Sequence, residues 1–178
     1  MNPSAASAPR YGDLAMTPEE LDAFLAQADT IMMASLRRDG SPFVVPIGFD
    51  WDGTSFYLSF GLDHAGLHRL RRDPRVSLSV GSVPAFPTKF VVVEGRAVEV
   101  DDPEGAVSRG VLMRASGPSF AAAGIDPERY FRSWISVGRV AFRVDVTHLV
   151  TFDGTKTPKG DKYESGTRLP GDSVRATD

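Results

Sequence analysis

The sequence predicts a mainly β fold of the α+β class, a six-stranded antiparallel β-barrel with flanking helices, on three observations. First, the segments Arg38-Asp39-Gly40-Ser41 and Asp52-Gly53-Thr54 have the composition of tight hairpin turns, because glycine adopts positive φ without penalty and short polar side chains bond the local backbone. Second, β-branched and aromatic residues flank both turns, as strands require. Third, the spacing becomes helical only briefly, after His64, so strands dominate this half of the chain.

The first predicted element is a helix that begins after Thr17. Thr17 is a favourable N-cap, Pro18 suits the first helical position, and the acidic residues that follow complement the helix dipole. An apolar stripe predicts that the helix reaches about Ala28 and packs on the core; the stripe consists of Leu21, Phe24 and Leu25.

Six strands are predicted after this helix, with one short helix among them. In the short helix, Leu67 and Leu70 share one face between His64 and Pro74. The strands are predicted from β-branched and aromatic content and from alternation of polar and apolar residues. They cover residues 30–37, 42–50, 55–60, 75–82, 89–100 and 138–150.

A helical pattern fills the region between the last two strands, from residue 102 to about 136. Asp102 and Asp126 each precede a proline and a glutamate, which is a helix start signal. Ser116-Gly117-Pro118 and Gly124 interrupt the pattern. The region is therefore predicted to form two helices that pack on one end of the barrel.

Length and composition predict one domain with loose ends. A chain of 178 residues with 42% hydrophobic content buries a core of ordinary size. Residues 17–154 form the predicted domain, 1–16 a flexible N-terminal segment and 155–178 a flexible, charged C-terminal tail. Alternatively, residues 152–163 cross to a second subunit and help to cover its site.

Charge and apolar content restrict the partners. A net charge of −3 disfavours nucleic acid, whereas the arginines around the short helix favour a small anion. Because there is no apolar run of membrane-spanning length and no signal sequence at the N-terminus, we expect a cytoplasmic protein without a membrane segment. The chain has no cysteine and only three histidines, so no metal site is predicted.

Four segments carry a resemblance to a known family. In order, they are SLRRDGSPFVVPIGF, HRLRRDPRVSLSV, VVVEGRAVEV and RVAFRVDVTHLVTFDG. Together they resemble the pyridoxamine 5'-phosphate oxidase-like superfamily of flavin- and deazaflavin-dependent oxidoreductases, over residues 20–154. The resemblance implies a split β-barrel that forms a homodimer, with one cofactor at each of two sites in the subunit interface.

The resemblance also implies which residues bind the cofactor. It places the strand from Phe43 to Ile47 along the edge of the isoalloxazine ring, where backbone groups bond the pyrimidine end, and Pro46 contributes no N–H there. The end of the next strand and the start of the short helix would meet the ribityl and phosphate groups. The residues implied are Val44, Val45, Pro46, Ile47, Leu58, Ser59 and His64.

The sequence departs from the family pattern within the short helix. Relatives usually carry lysine four residues before the position of Leu70, and this chain has Gly66 there. Arg69, His64 and His68 are the candidates that replace this cation, since a phosphate beside an imidazole favours the charged ring. The alternatives are weaker cofactor binding, or a basic surface helix without a ligand.

Three further residues are candidates on the substrate side or at the cofactor tail. Trp134 and Phe86 are aromatic residues that would face the ring, and either is equally compatible with packing. Lys89 opens the fifth predicted strand, where it would approach an anionic substrate or cofactor tail or remain a solvated strand end.

The predicted function follows from the cofactor. No Ser-His-Asp motif is present, so no catalytic residue is assigned and the chemistry would belong to the cofactor. The resemblance implies an oxidoreductase that uses FMN or the deazaflavin coenzyme F-420 to transfer hydride to a small conjugated substrate. The alternative is a non-catalytic flavin- or haem-binding protein of the same fold, with His64, His68 or His148 as a haem ligand.

Overall fold

The fold is one antiparallel sheet that curls into a half-barrel, with four helices packed on it. The computed structural model describes residues 11–81 and 88–157, and all bounds refer to them. The strands are β1 (Thr30–Leu36), β2 (Pro42–Gly48), β3 (Asp50–Trp51), β4 (Phe56–Gly61), β5 (Arg75–Gly81), β6 (Lys89–Val100) and β7 (Arg139–Asp153). The helices are α1 (Pro18–Leu25), α2 (Ala65–Arg72), α3 (Ala106–Ala122) and α4 (Pro127–Ile135). Short 3-10 turns lie at Gly12–Leu14 and Gly154–Lys156.

The described part of the chain forms seven strands, so the prediction of six was wrong. The strand order is β2-β1-β5-β6-β7-β4-β3, which leaves β2 and β3 at the two edges. The strand predicted at 42–50 divides after Gly48, because the chain leaves β1 there and Asp50–Trp51 pair with β4. Gly48 lies against α3, where a Cβ would be 2.7 Å from Ala115 Cβ. The buried Phe49 then carries the chain across the core to the opposite edge of the sheet.

Both predicted hairpin turns are confirmed. Gly40 and Gly53 have φ values of 82° and 93°, which only glycine adopts readily. Asp39 and Asp52 accept hydrogen bonds from the backbone two residues later, as in other Asx turns.

The core lies on the concave face of the sheet, beneath α1 and α2. Alternate residues of β1, β4 and β5 are buried there, as period-two side chains require, and the apolar stripes of the two helices close it. The fully buried large side chains are Phe49, Phe56, Phe142, Leu25, Ile31, Met33, Leu58, Leu67, Leu70, Leu78, Val91 and Val93.

The start of α1 follows the prediction. Thr17 and Glu20 form a capping box, in which the Thr17 hydroxyl accepts from the Glu20 N–H and the Glu20 carboxylate accepts from the Thr17 N–H. The regular helix ends at Leu25, and single-turn bonds at Gln27 and Ala28 continue the turn toward β1.

The predicted break at Ser116-Gly117-Pro118 was wrong, because α3 continues through Pro118 to Ala122. A proline removes one helical hydrogen bond, and packing on both sides compensates for it. On one side, the Arg114 guanidinium donates to Asp50 at 3.0 Å. On the other side, Phe120 packs against Tyr130 of α4 with the ring centroids 4.5 Å apart.

The two ends of the described part of the chain border the sheet at the end of β7. Tyr11 makes edge-on contacts with Phe90 and Phe152, which stack on each other. The Lys156 ammonium donates to the Ala15 carbonyl at 2.7 Å. The predicted flexible segments at 1–16 and 155–178, and a crossing of residues 152–163 to a second subunit, stay predictions.

No helix among the described residues is long and apolar enough to cross a membrane. The cytoplasmic location stays a prediction.

Candidate functional site

Strand β2 is an edge strand, and its free edge offers backbone groups to a ligand. The Arg37 N–H donates to the Ser41 carbonyl at 2.9 Å and so fixes which residues of β2 bond to β1. Pro42 and Pro46, which have no N–H, both fall at the positions that do not bond to β1. The N–H and C=O of Val44 and the C=O of Pro46 therefore point away from the sheet.

The side chains of the predicted ring-binding strand divide between two faces. Val44 and Pro46 are exposed, Val44 at 54%. Val45 and Ile47 pack against the core instead. A ligand along this edge would therefore meet backbone groups of Val44 and Pro46, in line with the role that the resemblance implies.

Helix α2 carries Arg69 to the start of this strand. The Arg69 Nε donates to the hydroxyl of the buried Ser35 at 3.0 Å, and the Arg69 Cζ lies 4.3 Å from the centroid of the Phe43 ring. Burial is the main cause that lowers the pKa of Arg69, and the charges of Arg37 and Arg72 add to it. These contacts hold Arg69 in place beside Phe43, at the start of β2.

A second arginine, Arg139, lies at the end of β4. Its Nε donates to the Ser59 hydroxyl at 3.0 Å, and its Cζ lies 3.2 Å from the centroid of the Trp134 ring. Burial lowers the pKa of Arg139 to about 10. The Ser59 hydroxyl also lies 2.8 Å from that of Ser108 on α3. Leu58 is fully buried, so only its backbone is available to a ligand.

His64 lies between these two arginines at the start of α2. Its ring stacks on Phe60 with the centroids 5.1 Å apart, and its Nδ1 accepts from the Gly66 N–H at 3.0 Å. Desolvation is the largest cause that lowers the pKa of His64, followed by the charges of Arg69 and Arg139. The ring is therefore neutral at neutral pH and carries its proton on Nε2.

His64, Arg69 and Arg139 form the basic cluster. Among the described residues, no carboxylate lies within 4.0 Å of either guanidinium group. Arg37 and Arg72, the outer arginines, also lack a carboxylate partner in these ranges: they donate to the carbonyls of Pro42 and Leu36. Unpaired guanidinium groups held by hydrogen bonds and aromatic rings are suited to binding an anion.

The remaining predicted site residues are Lys89, His68, Phe86 and Trp134. Lys89 is at the opposite end of β7 from Arg139, where its ammonium donates to the buried Asp153 at 2.8 Å. His68 is exposed on α2, and its side chain makes no hydrogen bond within residues 11–81 and 88–157. Phe86 lies outside the described residues. Trp134 packs on Arg139 and so borders the basic cluster.

Arg139 was not predicted as a site residue. It reaches Ser59, 80 residues away along the chain, only because β7 pairs with β4, where Arg139 lies opposite Gly61. Strand pairing at that separation cannot be read from local spacing. An arginine directly before an alternating strand was the one available signal, and many surface strands share it.

The described residues contain no group of three metal-ligating side chains that could hold a metal ion.

The model of the pyridoxamine 5'-phosphate oxidase family matches residues 17–148, most of the chain. The chain belongs to the pyridoxamine 5'-phosphate oxidase family. This confirms the resemblance drawn from the four sequence segments. Among curated proteins, none matches the sequence significantly.

Solved structures share the fold of this pyridoxamine 5'-phosphate oxidase family member. The conserved hypothetical protein Rv2991 from Mycobacterium tuberculosis is 24% identical with a TM-score of 0.68, covering 88% of this chain and 99% of that one. An F420 reductase is 23% identical with a TM-score of 0.56, covering 72% and 94%. The haem storage protein HutZ from Vibrio cholerae is 16% identical with a TM-score of 0.55, covering 76% and 95%.

Proposed function

We propose that this chain is an oxidoreductase that binds FMN or coenzyme F-420 and transfers hydride to a small conjugated substrate. The observation that carries the proposal is the basic cluster, which has no carboxylate partner among the described residues and lies beside the free edge of β2. Flavins and deazaflavins have a polar ring edge and an anionic chain, and the site offers a complement to each. The hydride chemistry itself is supplied by the cofactor when it is bound.

The basic cluster would hold the cofactor phosphate. Arg139 and Arg69 are fixed before any ligand binds, because each donates Nε to a serine hydroxyl and packs on an aromatic ring. Fixed donors lose little conformational entropy on binding. They provide the positive charge that Gly66 does not.

The edge of β2 would hold the ring. The N–H of Val44 and the carbonyls of Val44 and Pro46 present one donor and two acceptors in a row. The pyrimidine ring of a flavin or deazaflavin has carbonyl acceptors and an N–H donor that match such an edge. In this arrangement the backbone of β2 orients the ring, and the hydrophobic side chains beside the ring limit the access of water to it.

The outer arginines favour the deazaflavin over FMN. FMN has a single phosphate, which the basic cluster would bind, whereas the tail of coenzyme F-420 continues beyond its phosphate with carboxylates. Arg37 and Arg72 lower the pKa of Arg69 and therefore lie within charge range of the cluster. They would meet such a tail at the β1–β2 turn.

The second candidate function is a non-catalytic flavin- or haem-binding protein. The observation that favours it is the pair of guanidinium groups of Arg69 and Arg139, which have no carboxylate partner among the described residues and would suit haem propionates. A haem storage protein shares the fold. In this case the protein would bind its ligand without turnover.

We further propose a homodimer as the active form. The outward face of β1 and β2 exposes Met32 at 44% and Val44 at 54%, next to the edge that would hold the ring. Exposed apolar residues grouped on a sheet face favour a protein interface. A second copy placed there would cover the open side of the cofactor site. Sedimentation of the wild type and of Val44→Lys tests this, and a monomeric wild type would overturn it.

The cofactor proposal is tested by titration of the purified chain with FMN, coenzyme F-420 and hemin. We expect a changed visible spectrum and a raised Tm with coenzyme F-420 or FMN, since a ligand at about a hundred times its Kd adds about 2.7 kcal/mol of stability. Consumption of the reduced cofactor with conjugated carbonyl or nitro compounds then tests for hydride transfer. Binding of hemin alone, without turnover, supports the second candidate. No response to any of the three overturns both.

A further inference from the structure

Gly66 lies in a space that admits no side chain. It is buried, and a Cβ added there would be 2.8 Å from the His64 Nδ1 and 2.8 Å from the Phe60 Cε1. Both distances are shorter than real Cβ contacts. The φ of Gly66 is not in the left-handed region, so the requirement for glycine is steric. The rings of His64 and Phe60 together occupy the volume that a side chain at residue 66 would need.

His64 cannot move aside cheaply. Phe60, on which the ring stacks, is only 3% exposed and belongs to the core. The Gly66 N–H holds Nδ1 from the other side. Moving the ring would break this cap at the first turn of α2, which costs stability. The position and tautomer of His64 are therefore determined by its neighbours.

The remaining polar atom of the ring is Nε2, and its proton has no acceptor among the described residues. The charged groups near it are Arg69 on α2 and Arg139 on β7, and both guanidinium groups lack a carboxylate partner within residues 11–81 and 88–157. A donor in cationic surroundings binds a negatively charged oxygen well.

We infer that His64 is the third anion-binding residue of the cluster, donating Nε2–H to a phosphate or phosphodiester oxygen, and that Gly66 is the positioning residue that makes room for it. The inference rests on the proposed function and adds one rule to it. The ring at residue 64 and a side chain at residue 66 compete for the same space, so the site uses the histidine rather than a cation at residue 66.

Four chains test this rule: the wild type, His64→Ala, Gly66→Lys and the double variant His64→Ala/Gly66→Lys. The Kd for FMN and for coenzyme F-420 and the Tm without ligand are measured for each. We expect His64→Ala to weaken binding about 10-fold, as loss of a hydrogen bond to a charged group does. Gly66→Lys should lower both affinity and Tm, and the double variant should regain part of the affinity, because removing the His64 ring relieves one of the two close contacts while that with Phe60 remains.

A second pair keeps the test informative if the lysine variants fail to fold. Gly66→Ala adds only the clashing Cβ and should lower the Tm, and His64→Ala/Gly66→Ala should recover the part of that loss that the His64 ring causes. Arg71→Ala, at an exposed position of the same helix, is the matched control and should leave the Kd for both cofactors unchanged. Additive effects at 64 and 66 would overturn the steric rule.

The tautomer provides a readout that a purely structural role would not affect. In ¹⁵N NMR spectra, His64 should appear as the Nε2–H tautomer, and addition of FMN or inorganic phosphate should shift the Nε2 resonance. If the wild type binds neither cofactor, the proposed function fails. If it binds both, but His64→Ala binds them equally well and Nε2 does not shift, this inference alone is overturned.

Discussion

The Arg139 guanidinium donates twice to Ser59, from Nε to the hydroxyl at 3.0 Å and from Nη2 to the carbonyl at 2.9 Å. These bonds tie the first residue of β7 to the end of β4. Trp134 covers one face of the guanidinium. The result is a half-buried cation whose position does not depend on a ligand, which is how a protein lowers the entropic cost of binding an anion.

Replacing Arg139 should therefore weaken cofactor binding more than folding. We expect Arg139→Gln to raise the Kd for FMN and coenzyme F-420 at least about 10-fold, because a hydrogen bond to a charged group contributes about 1.5–3 kcal/mol. Fluorescence titration measures the change. The control is Arg143→Gln on the same strand, whose side chain is exposed and pairs with Asp145. Equal Kd values in the two variants would contradict the assignment.

Arg69 should make a comparable contribution from α2. Its Nε already donates to Ser35, so its remaining N–H groups are available to the ligand. Arg69→Ala is expected to weaken cofactor binding by about 1.5–3 kcal/mol. Arg71→Ala on the same helix removes an exposed ion pair with Glu99, which contributes little to stability, and should leave binding unchanged. If Arg69→Ala binds as the wild type does, the phosphate lies elsewhere.

Local signals predicted the elements of this site well. The β1–β2 hairpin follows from its turn glycine, and α2 follows from Leu67 and Leu70 on one helix face. Long-range geometry was not predictable in the same way. The switch of the chain after Gly48 depends on contact with α3, and the arrival of Arg139 at Ser59 depends on the pairing of β7 with β4. Neither of these contacts leaves a local pattern in the sequence, because the residues in contact lie far apart along the chain.

The steric conflict at Gly66 shows a further limit of sequence reasoning. The missing lysine was visible in the sequence, whereas its cause was not. Only the stacking of His64 on Phe60 shows that the ring takes the space beside Gly66. A departure from a family pattern can thus be one half of a coupled change at two neighbouring positions.

The hairpin turn at Asp52 should make stability depend on pH. Burial raises the pKa of its carboxyl, but hydrogen bonds from Thr54, Ser55 and Tyr57 outweigh this and lower the pKa to about 2. Because the folded pKa is below the unfolded one, this stabilisation is present above about pH 4 and is lost as the pH falls toward 2.

For an exposed group we discount the effect to about 1 kcal/mol. Asp52→Asn should lower the free energy of unfolding by about that amount at pH 7 and leave it unchanged near pH 2. Urea denaturation at the two pH values measures both. Asp29→Asn serves as the control, since Asp29 is exposed and makes no hydrogen bond in the described ranges. A loss at pH 7 that persisted at pH 2 would show that the charge is not the cause.

Lys89 should matter for stability through Asp153, which is buried at 3% side-chain exposure. Lys89→Met leaves that carboxylate without its ammonium partner, and because Lys89 itself is partly exposed we expect a loss of about 1–3 kcal/mol. Thermal or urea denaturation checks this. Cofactor titration of the same variant tests the sequence-based prediction that Lys89 also contacts the cofactor, which requires a raised Kd.

Pro118 should destabilise α3, so that its replacement stabilises the protein. It is exposed and lies in the helix interior, where it cannot donate to the Arg114 carbonyl. Pro118→Ala restores that hydrogen bond and introduces a residue with high helix propensity, although the unfolded chain also gains conformational entropy. We expect the free energy of unfolding to rise by about 1–2 kcal/mol. Ser119→Ala, at the exposed neighbouring position, should change it far less. A lower Tm for Pro118→Ala would mean that the bend introduced by the proline is needed to bring Phe120 onto Tyr130.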